Sequence, residues 1–136
     1  FFSHLEGTLT NSEVLYCERF EQRISMQGQE VYRFAVNKIP EVTQELLDQN
    51  GVHKEDVDYY IFHQANKRII RSIASKLGIP LEKCFMNIEE YGNTSAASVA
   101  IAMADMKDKG ILKPGMLAVS VGFGAGLTYG GMLFRT

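Results

Sequence analysis

The chain has 136 residues, 46% of them hydrophobic and 22% charged, with a net charge of −2. That length and composition suit one soluble globular domain with a sizeable core, exclude two ordinary domains, and argue against disorder. The charge balance gives no reason to expect nucleic acid, no apolar run approaches a membrane span, and the opening Phe1-Phe2-Ser3-His4 has no signal-peptide layout.

Residues 1–27 carry the least pattern. Glu6-Gly7-Thr8 and Thr10-Asn11-Ser12 read as loop, and Arg19 to Met26 alternates weakly, as a strand does. From the abrupt apolar opening, a chain that begins partway through a larger fold is expected. From Gln29 to Gln49, Val31, Phe34, Ala35, Ile39, Val42 and Leu46 recur at helical spacing. Pro40 falls inside this pattern and is expected to kink or split the helix, since it lacks an N–H and its ring clashes with the preceding turn. Asn50-Gly51 is a C-terminal stop. Tyr59 to Phe62 reads as a short buried strand. A helix follows over Asn66 to Leu77, with Ile69, Ile70, Ile73, Ala74 and Leu77 on one stripe and Lys67, Arg68, Arg71 and Lys76 on the other half. Gly78-Ile79-Pro80 ends it, and Cys84 to Ile88 reads as another short strand. Ala96 to Met106 is apolar around its whole circumference and rich in small residues, so this helix is expected to be buried on both sides. Pro114-Gly115 turns into a strand over Met116–Val121, and Gly122-Phe123-Gly124-Ala125-Gly126 separates that from a last strand, Leu127–Phe134. The alternation of strands and helices indicates an α/β fold.

Two polar residues stand where an apolar strand gives way to a helix, the boundary at which α/β sheets bind ligands. His63 there could polarise a carbonyl or move a proton; it equally fits a core histidine bonded to backbone. Asn93, after Gly92, fits either a helix N-cap or an amide donor aimed at a developing oxyanion. The glycine-rich run 122–126 fits a tight hairpin or a loop whose bare N–H groups form an oxyanion hole. It lacks the lysine and spacing of a phosphate-binding loop. The four cations of the basic helix meet no acidic residue between His63 and Pro80, so they form a local positive patch suited to an acidic protein or a phosphate-bearing ligand. Cys17 and Cys84 lie far apart and outside any CxxC, and His4, His53 and His63 lack metal-ligand spacing. No disulfide scaffold, zinc site or other metal is expected, and a reducing compartment, the cytoplasm, fits best. Neither cysteine looks activated. Residue types alone therefore reach half of an acyl-transfer site, without its nucleophile.

At His63-Gln64-Ala65-Asn66, Tyr91-Gly92-Asn93-Thr94-Ser95-Ala96-Ala97-Ser98 and Phe123–Gly126 the chain resembles the C-terminal half of the β-ketoacyl-acyl-carrier-protein synthase III family, in the thiolase-like superfamily. Met26 to Val36 also resembles it, and the likeness covers roughly Met26 to Arg135. The resemblance implies a thiolase-like C-terminal domain over 28–136, a mixed β-sheet packed by helices with a buried central helix, preceded by an irregular start over 1–27. It implies a decarboxylative Claisen condensation of acyl-CoA with malonyl-acyl-carrier protein, initiating fatty acid biosynthesis. His63 and Asn93 match the catalytic His and Asn that hold the malonyl thioester carbonyl. Ala125 matches a position, often Gly, whose backbone N–H completes an oxyanion hole. Gly28, Gln29, Tyr32, Ala65 and Asn66 match positions lining the CoA channel. Arg68 matches an arginine implicated in docking acyl-carrier protein, with Arg71 and Lys76 as further candidates.

The expected partners are therefore acyl-carrier protein, acyl-CoA and a second copy in a homodimer, with no nucleic acid, no membrane and no cofactor beyond the thioester substrates. The family's nucleophilic cysteine belongs to an N-terminal half, and neither Cys17 nor Cys84 matches it. The chain on its own is accordingly expected to be inactive, as a fragment or a separately produced C-terminal domain. Two alternatives share the motifs: a non-catalytic thioester- or carrier-protein-binding module, and a related thiolase-like condensing enzyme of secondary metabolism.

Overall fold

The computed structural model describes residues 2–8, 13–17 and 23–136. Its main sheet has four strands in the order β1 (Phe2–Thr8), β6 (Thr128–Arg135), β5 (Leu117–Gly124) and β4 (Tyr59–Phe62). The pairs β1–β6 and β5–β6 are antiparallel, and β4–β5 is parallel, with Tyr59 opposite Ala118 and Phe62 opposite Val121. A parallel neighbour requires a long crossover, and here it carries α2 (Lys67–Leu77), the short α3 (Ile88–Tyr91) and α4 (Ser98–Asp108). Two further strands, β2 (Leu15–Cys17) and β3 (Ile24–Met26), pair with each other, and α1 (Gly28–Gln49) follows them. The expected mixed α/β architecture is present.

Side-chain alternation along β4 sets the layers. Tyr60 and Phe62 point into the larger core, with Ile39, Val42, Leu46 and Leu47 of α1 and Ile69, Ile70 and Ile73 of α2. Ile61 points the other way, onto Ala102 and Met106 of α4. Helices α1 and α2 thus cover one face of the sheet and α4 the other. Close to the sheet, α1 leaves no room at Gly131. A Cβ built there would lie 2.7 Å from Leu46 Cδ1 and 3.2 Å from Val42 Cγ1.

Several local expectations are corrected. Pro40 does not split α1, which runs unbroken from Gly28 to Gln49. An interior proline costs about 3 kcal/mol, but Ile39, Val42, Leu46 and Leu47 are fully buried around it, each worth about 1.5–3 kcal/mol. Glu6-Gly7-Thr8 are not loop; they end β1, opposite Gly130, Tyr129 and Thr128. Glycine stands in this strand because the Tyr129 ring occupies the space a Cβ at Gly7 would need. Thr10-Asn11-Ser12 lie outside the described residues, as do residues 19–22 of the expected first strand, whose end is β3. Cys84 to Ile88 is no strand either. Cys84 makes a single parallel bridge to Tyr60, and Ile88 already begins α3. The ladder stops because the buried Gln64 side chain takes the next backbone groups, its Nε2 donating to Phe85 O at 3.2 Å and its Oε1 accepting from Asn87 N at 3.1 Å. Finally, α4 is buried on one side only in this chain. Ser98, Ala102, Asp105 and Met106 face inward, whereas Ala100 and Ala104 are exposed, because the described residues bring only one sheet against it.

The tight α1–sheet contact gives a stability test. Gly131→Ala is expected to destabilise the protein by about 1–3 kcal/mol through overpacking, seen as a lowered unfolding midpoint. Gly130→Ala is the control, since the new methyl meets nothing nearer than 3.9 Å and its cost should stay within about 1 kcal/mol.

Candidate active site

His63 leaves the end of β4, where its N–H donates to Val121 O of β5 at 2.9 Å. The parallel ladder therefore carries the backbone up to the imidazole. The ring's Nδ1 lies 2.5 Å from Ser98 Oγ, and its edge meets Phe123 at a centroid separation of 5.0 Å and an interplanar angle of 77°. Burial holds the His63 pKa below the usual 6.5. Ser98 is itself 2% exposed and also receives the Gln64 N–H at 3.2 Å.

Asn93 comes from the turn between α3 and α4. It is not the N-cap of α4, because a 3-10 turn over Ser95–Ala97 intervenes and α4 starts only at Ser98. Its Oδ1 accepts the Ser95 N–H at 3.0 Å, and Nδ2 has no partner among the described residues. Gly92, at φ 70° and ψ −163°, makes the preceding turn in a conformation open essentially to glycine alone. Ser95 follows at φ 51°, also left-handed.

His63 and Asn93 line one cavity of about 850 Å³ together with Ala65, Ser98, Phe123 and Ala125. Ala125 begins the turn that joins β5 to β6, a hairpin as the glycines suggest, with Gly126 at φ 72°. Four of the residues singled out in the sequence thus meet: His63, Asn93, Ala65 and Ala125. Gly28 and Gln29 lie off this lining, exposed in the first turn of α1. Tyr32 and Asn66 lie off it too, Tyr32 at the α1–α2 contact and Asn66 at the start of α2. The Tyr32 hydroxyl is 2.9 Å from Ser72 Oγ, and Asn66 caps α2 by accepting the Arg68 N–H at 2.8 Å.

The basic face of α2 is less uniform than its sequence. Lys67 pairs with Glu89 of α3, which lowers the Glu89 pKa, so one of the four cations has an acidic partner after all. Lys76 Nζ donates to Asn37 Oδ1 at 2.6 Å, and the Arg68 guanidinium lies 5.8 Å from the Tyr32 ring centre. Arg68 and Arg71 are exposed. Cys84 is buried and its thiol is pushed up to about 12, mainly by desolvation, which makes it a poor nucleophile. Cys17 lies on the cavity wall with Leu15, Tyr16, Ile24 and Met26 of β2 and β3. This wall was not foreseen: β2 is too short for its alternation to register, and the strand expected over Arg19 to Met26, which ends in β3, gives no local sign of where it packs. The Ser98 contact was missed as well; a serine at the end of the Asn93 motif was the available signal.

No group of three or more His, Cys, Asp or Glu side chains able to hold a metal occurs among the described residues, and no helix among them is long and apolar enough to cross a membrane. The depressed pKa has a testable consequence. In the folded protein the His63 ring should titrate below pH 6.5, by NMR of the imidazole, whereas an exposed histidine titrates near it. The unfolded chain binds that proton first, so stability should fall as pH drops through 6.5, and His63→Gln should lessen that dependence.

Residues 47–136 match the family described as 3-Oxoacyl-[acyl-carrier-protein (ACP)] synthase III C terminal. The chain is 49% identical over 113 residues to a Beta-ketoacyl-[acyl-carrier-protein] synthase III of Oleidesulfovibrio alaskensis, covering 83% of this chain and 34% of the relative. It is 47% identical over 131 residues to the enzyme of that name from Acaryochloris marina, covering 96% and 38%. The crystal structure of 3-oxoacyl-[acyl-carrier-protein] synthase III from Aquifex aeolicus VF5 superposes with a TM-score of 0.93 at 41% identity, covering 98% of this chain and 43% of that one. The chain thus spans well under half the length of the relatives it matches. With sequence and fold in agreement, this chain belongs to the C-terminal family of the 3-oxoacyl-acyl-carrier-protein synthases III.

Proposed function

We propose that this chain supplies the decarboxylating half of a β-ketoacyl-acyl-carrier-protein synthase III, which condenses acyl-CoA with malonyl-acyl-carrier protein at the start of fatty acid synthesis. In this reading a cysteine outside these 136 residues is acylated from acyl-CoA. The malonyl thioester then loses CO2, and the resulting enolate attacks the acyl-cysteine to form the new C–C bond, releasing the cysteine thiolate. The observation that carries the proposal is the convergence of His63, from the end of β4, and Asn93, from the turn between α3 and α4, on one cavity. The Asn93 carbonyl oxygen is occupied by the Ser95 N–H, which turns the amide so that its NH2 is the group available to a ligand.

As CO2 leaves, charge builds on the thioester oxygen. Donors already aimed at that position stabilise the transition state more than the ground state. His63 and Asn93 are the proposed donors, and the backbone N–H of Ala125 is proposed to serve the acyl thioester. Ala65, on the cavity wall, and Gly28, Gln29, Tyr32 and Asn66, on the approach along α1 and α2, are proposed to line the pantetheine channel. Arg68, Arg71 and Lys76 are proposed to dock the acidic carrier protein. Lys67, the fourth cation of that helix face, is instead paired with Glu89. The thiolase-like unit read from the sequence as residues 28–136 also takes in β1, which pairs with β6 along Phe2–Thr8, and the complete protein is proposed to act as a cytoplasmic homodimer without further cofactors or nucleic acid.

In the full-length protein, His63→Ala and Asn93→Ala should each lower malonyl decarboxylation and condensation by about 10²–10³-fold. Acylation of the cysteine by acyl-CoA should persist, as mass spectrometry would show. Unchanged condensation in both variants, or a full-length protein that takes up no acyl group, would instead favour a thioester-binding module. Arg68→Glu should raise KM for the carrier-protein substrate while leaving turnover of a malonyl-pantetheine analogue unchanged.

A further inference from the structure

Among the described residues, Ser98 is the one buried hydroxyl in contact with the His63 ring, and its hydrogen bonding is over-determined. The oxygen has one proton to give and two lone pairs. One lone pair takes the Gln64 N–H at 3.2 Å, and His63 Nδ1 lies 2.5 Å away. Two arrangements are possible. If Nδ1–H donated to Oγ, the hydroxyl proton would need an acceptor of its own, and no other partner of Ser98 Oγ exists among the described residues. That proton would be orphaned on a residue only 2% exposed, an arrangement that buried polar groups avoid. If Oγ–H donates to Nδ1, every group is satisfied.

We propose that Ser98 is a positioning residue that donates to His63 Nδ1 and so holds the imidazole as its Nε2–H tautomer, presenting a hydrogen-bond donor to the cavity. Nε2 is the ring's other polar atom, has no partner among the described residues, and belongs to a side chain that lines the cavity. A neutral ring is required for this, and desolvation keeps it neutral. Its purpose rests on the decarboxylation reading above, because the other tautomer would turn a lone pair toward the thioester oxygen and repel the developing charge. Phe123, edge-on to the ring at 5.0 Å, fixes the plane while Ser98 fixes the proton.

The test is long-range 1H–15N NMR on full-length protein labelled with ring-15N histidine, as wild type, Ser98→Thr and Ser98→Ala, at a pH where the ring is neutral. Wild type and Ser98→Thr should show a protonated Nε2 and a bare Nδ1 for His63, and Ser98→Ala a mixture of tautomers. Malonyl decarboxylation should fall about tenfold in Ser98→Ala and be restored in Ser98→Thr, with cysteine acylation unaltered in both. A protonated Nδ1 in the wild type, or a His63 signal in Ser98→Ala identical to wild type, would overturn the proposal whatever the activity. The expected tautomers with unchanged decarboxylation would uphold Ser98's hold on the ring and overturn the catalytic reading of His63.

Discussion

The arrangement turns on the buried carboxamide of Gln64. It is 1% exposed, and its Nε2 donates to Phe62 O and Phe85 O while its Oε1 accepts from Asn87 N. One side chain thereby ends the sheet at β4 and replaces two backbone bonds that a further strand would have made. The chain is freed to turn into α3 instead of continuing alongside β4, and that turn brings Asn93 back over the end of the sheet. Each of these groups would cost about 1–3 kcal/mol if left buried without a partner. The network continues from Asn87 Nδ2 to Asp105 Oδ2 at 3.2 Å and from Asp105 to Lys109 at 3.0 Å, fastening α4 to the segment before Asn93. No buried side-chain polar atom among the described residues lacks a partner.

This explains which parts of the fold could be read directly from the sequence. Strand β4 and helix α2 are set by local apolar patterning and by local stops, Asn66 at one end of α2 and Gly78 in the left-handed conformation at the other. Residues 84–88 have the same apolar character as a strand, but their backbone partners are supplied by a side chain 21 or more residues away. No local pattern records that. Gly7 misleads for a related reason: glycine in isolation signals a turn, whereas here it makes room for Tyr129, its partner across the β1–β6 ladder. Lys67 looks unpaired along the helix because Glu89 reaches it from α3.

The site divides in the same way. His63, Asn93 and the run 122–126 could be singled out because strand ends, helix starts and glycine-rich turns are local features of a sheet edge, whereas Ala65 and Ala125 are reached individually through the family resemblance. The wall of β2 and β3 and the Ser98 contact depend on how distant segments pack. Helix α4 lies between these cases. Its small residues signal close packing all round, yet only the Ser98–Ala102–Met106 side meets a sheet in this chain.

A donor is useful in catalysis only if it is aimed before the charge appears, so the polar atoms that do not face the cavity matter as much as those that do. At Asn93 the aim is set by backbone: glycine at φ 70° before it, Ser95 at φ 51° after it, and the Ser95 N–H holding Oδ1. A non-glycine residue held at positive φ costs of order 1–3 kcal/mol and persists only where its surroundings over-determine it. Here they do, because residues 95–97 of the 3-10 turn are tethered at one end to Asn93 and at the other to Ser98, which is itself fixed by Gln64 and His63. The strain beside Asn93 and the proton on His63 are therefore held by the same short segment. A change at Ser98 should be felt at both donors, and the spacing of Asn93 and Ser98 within one motif follows from that shared anchorage.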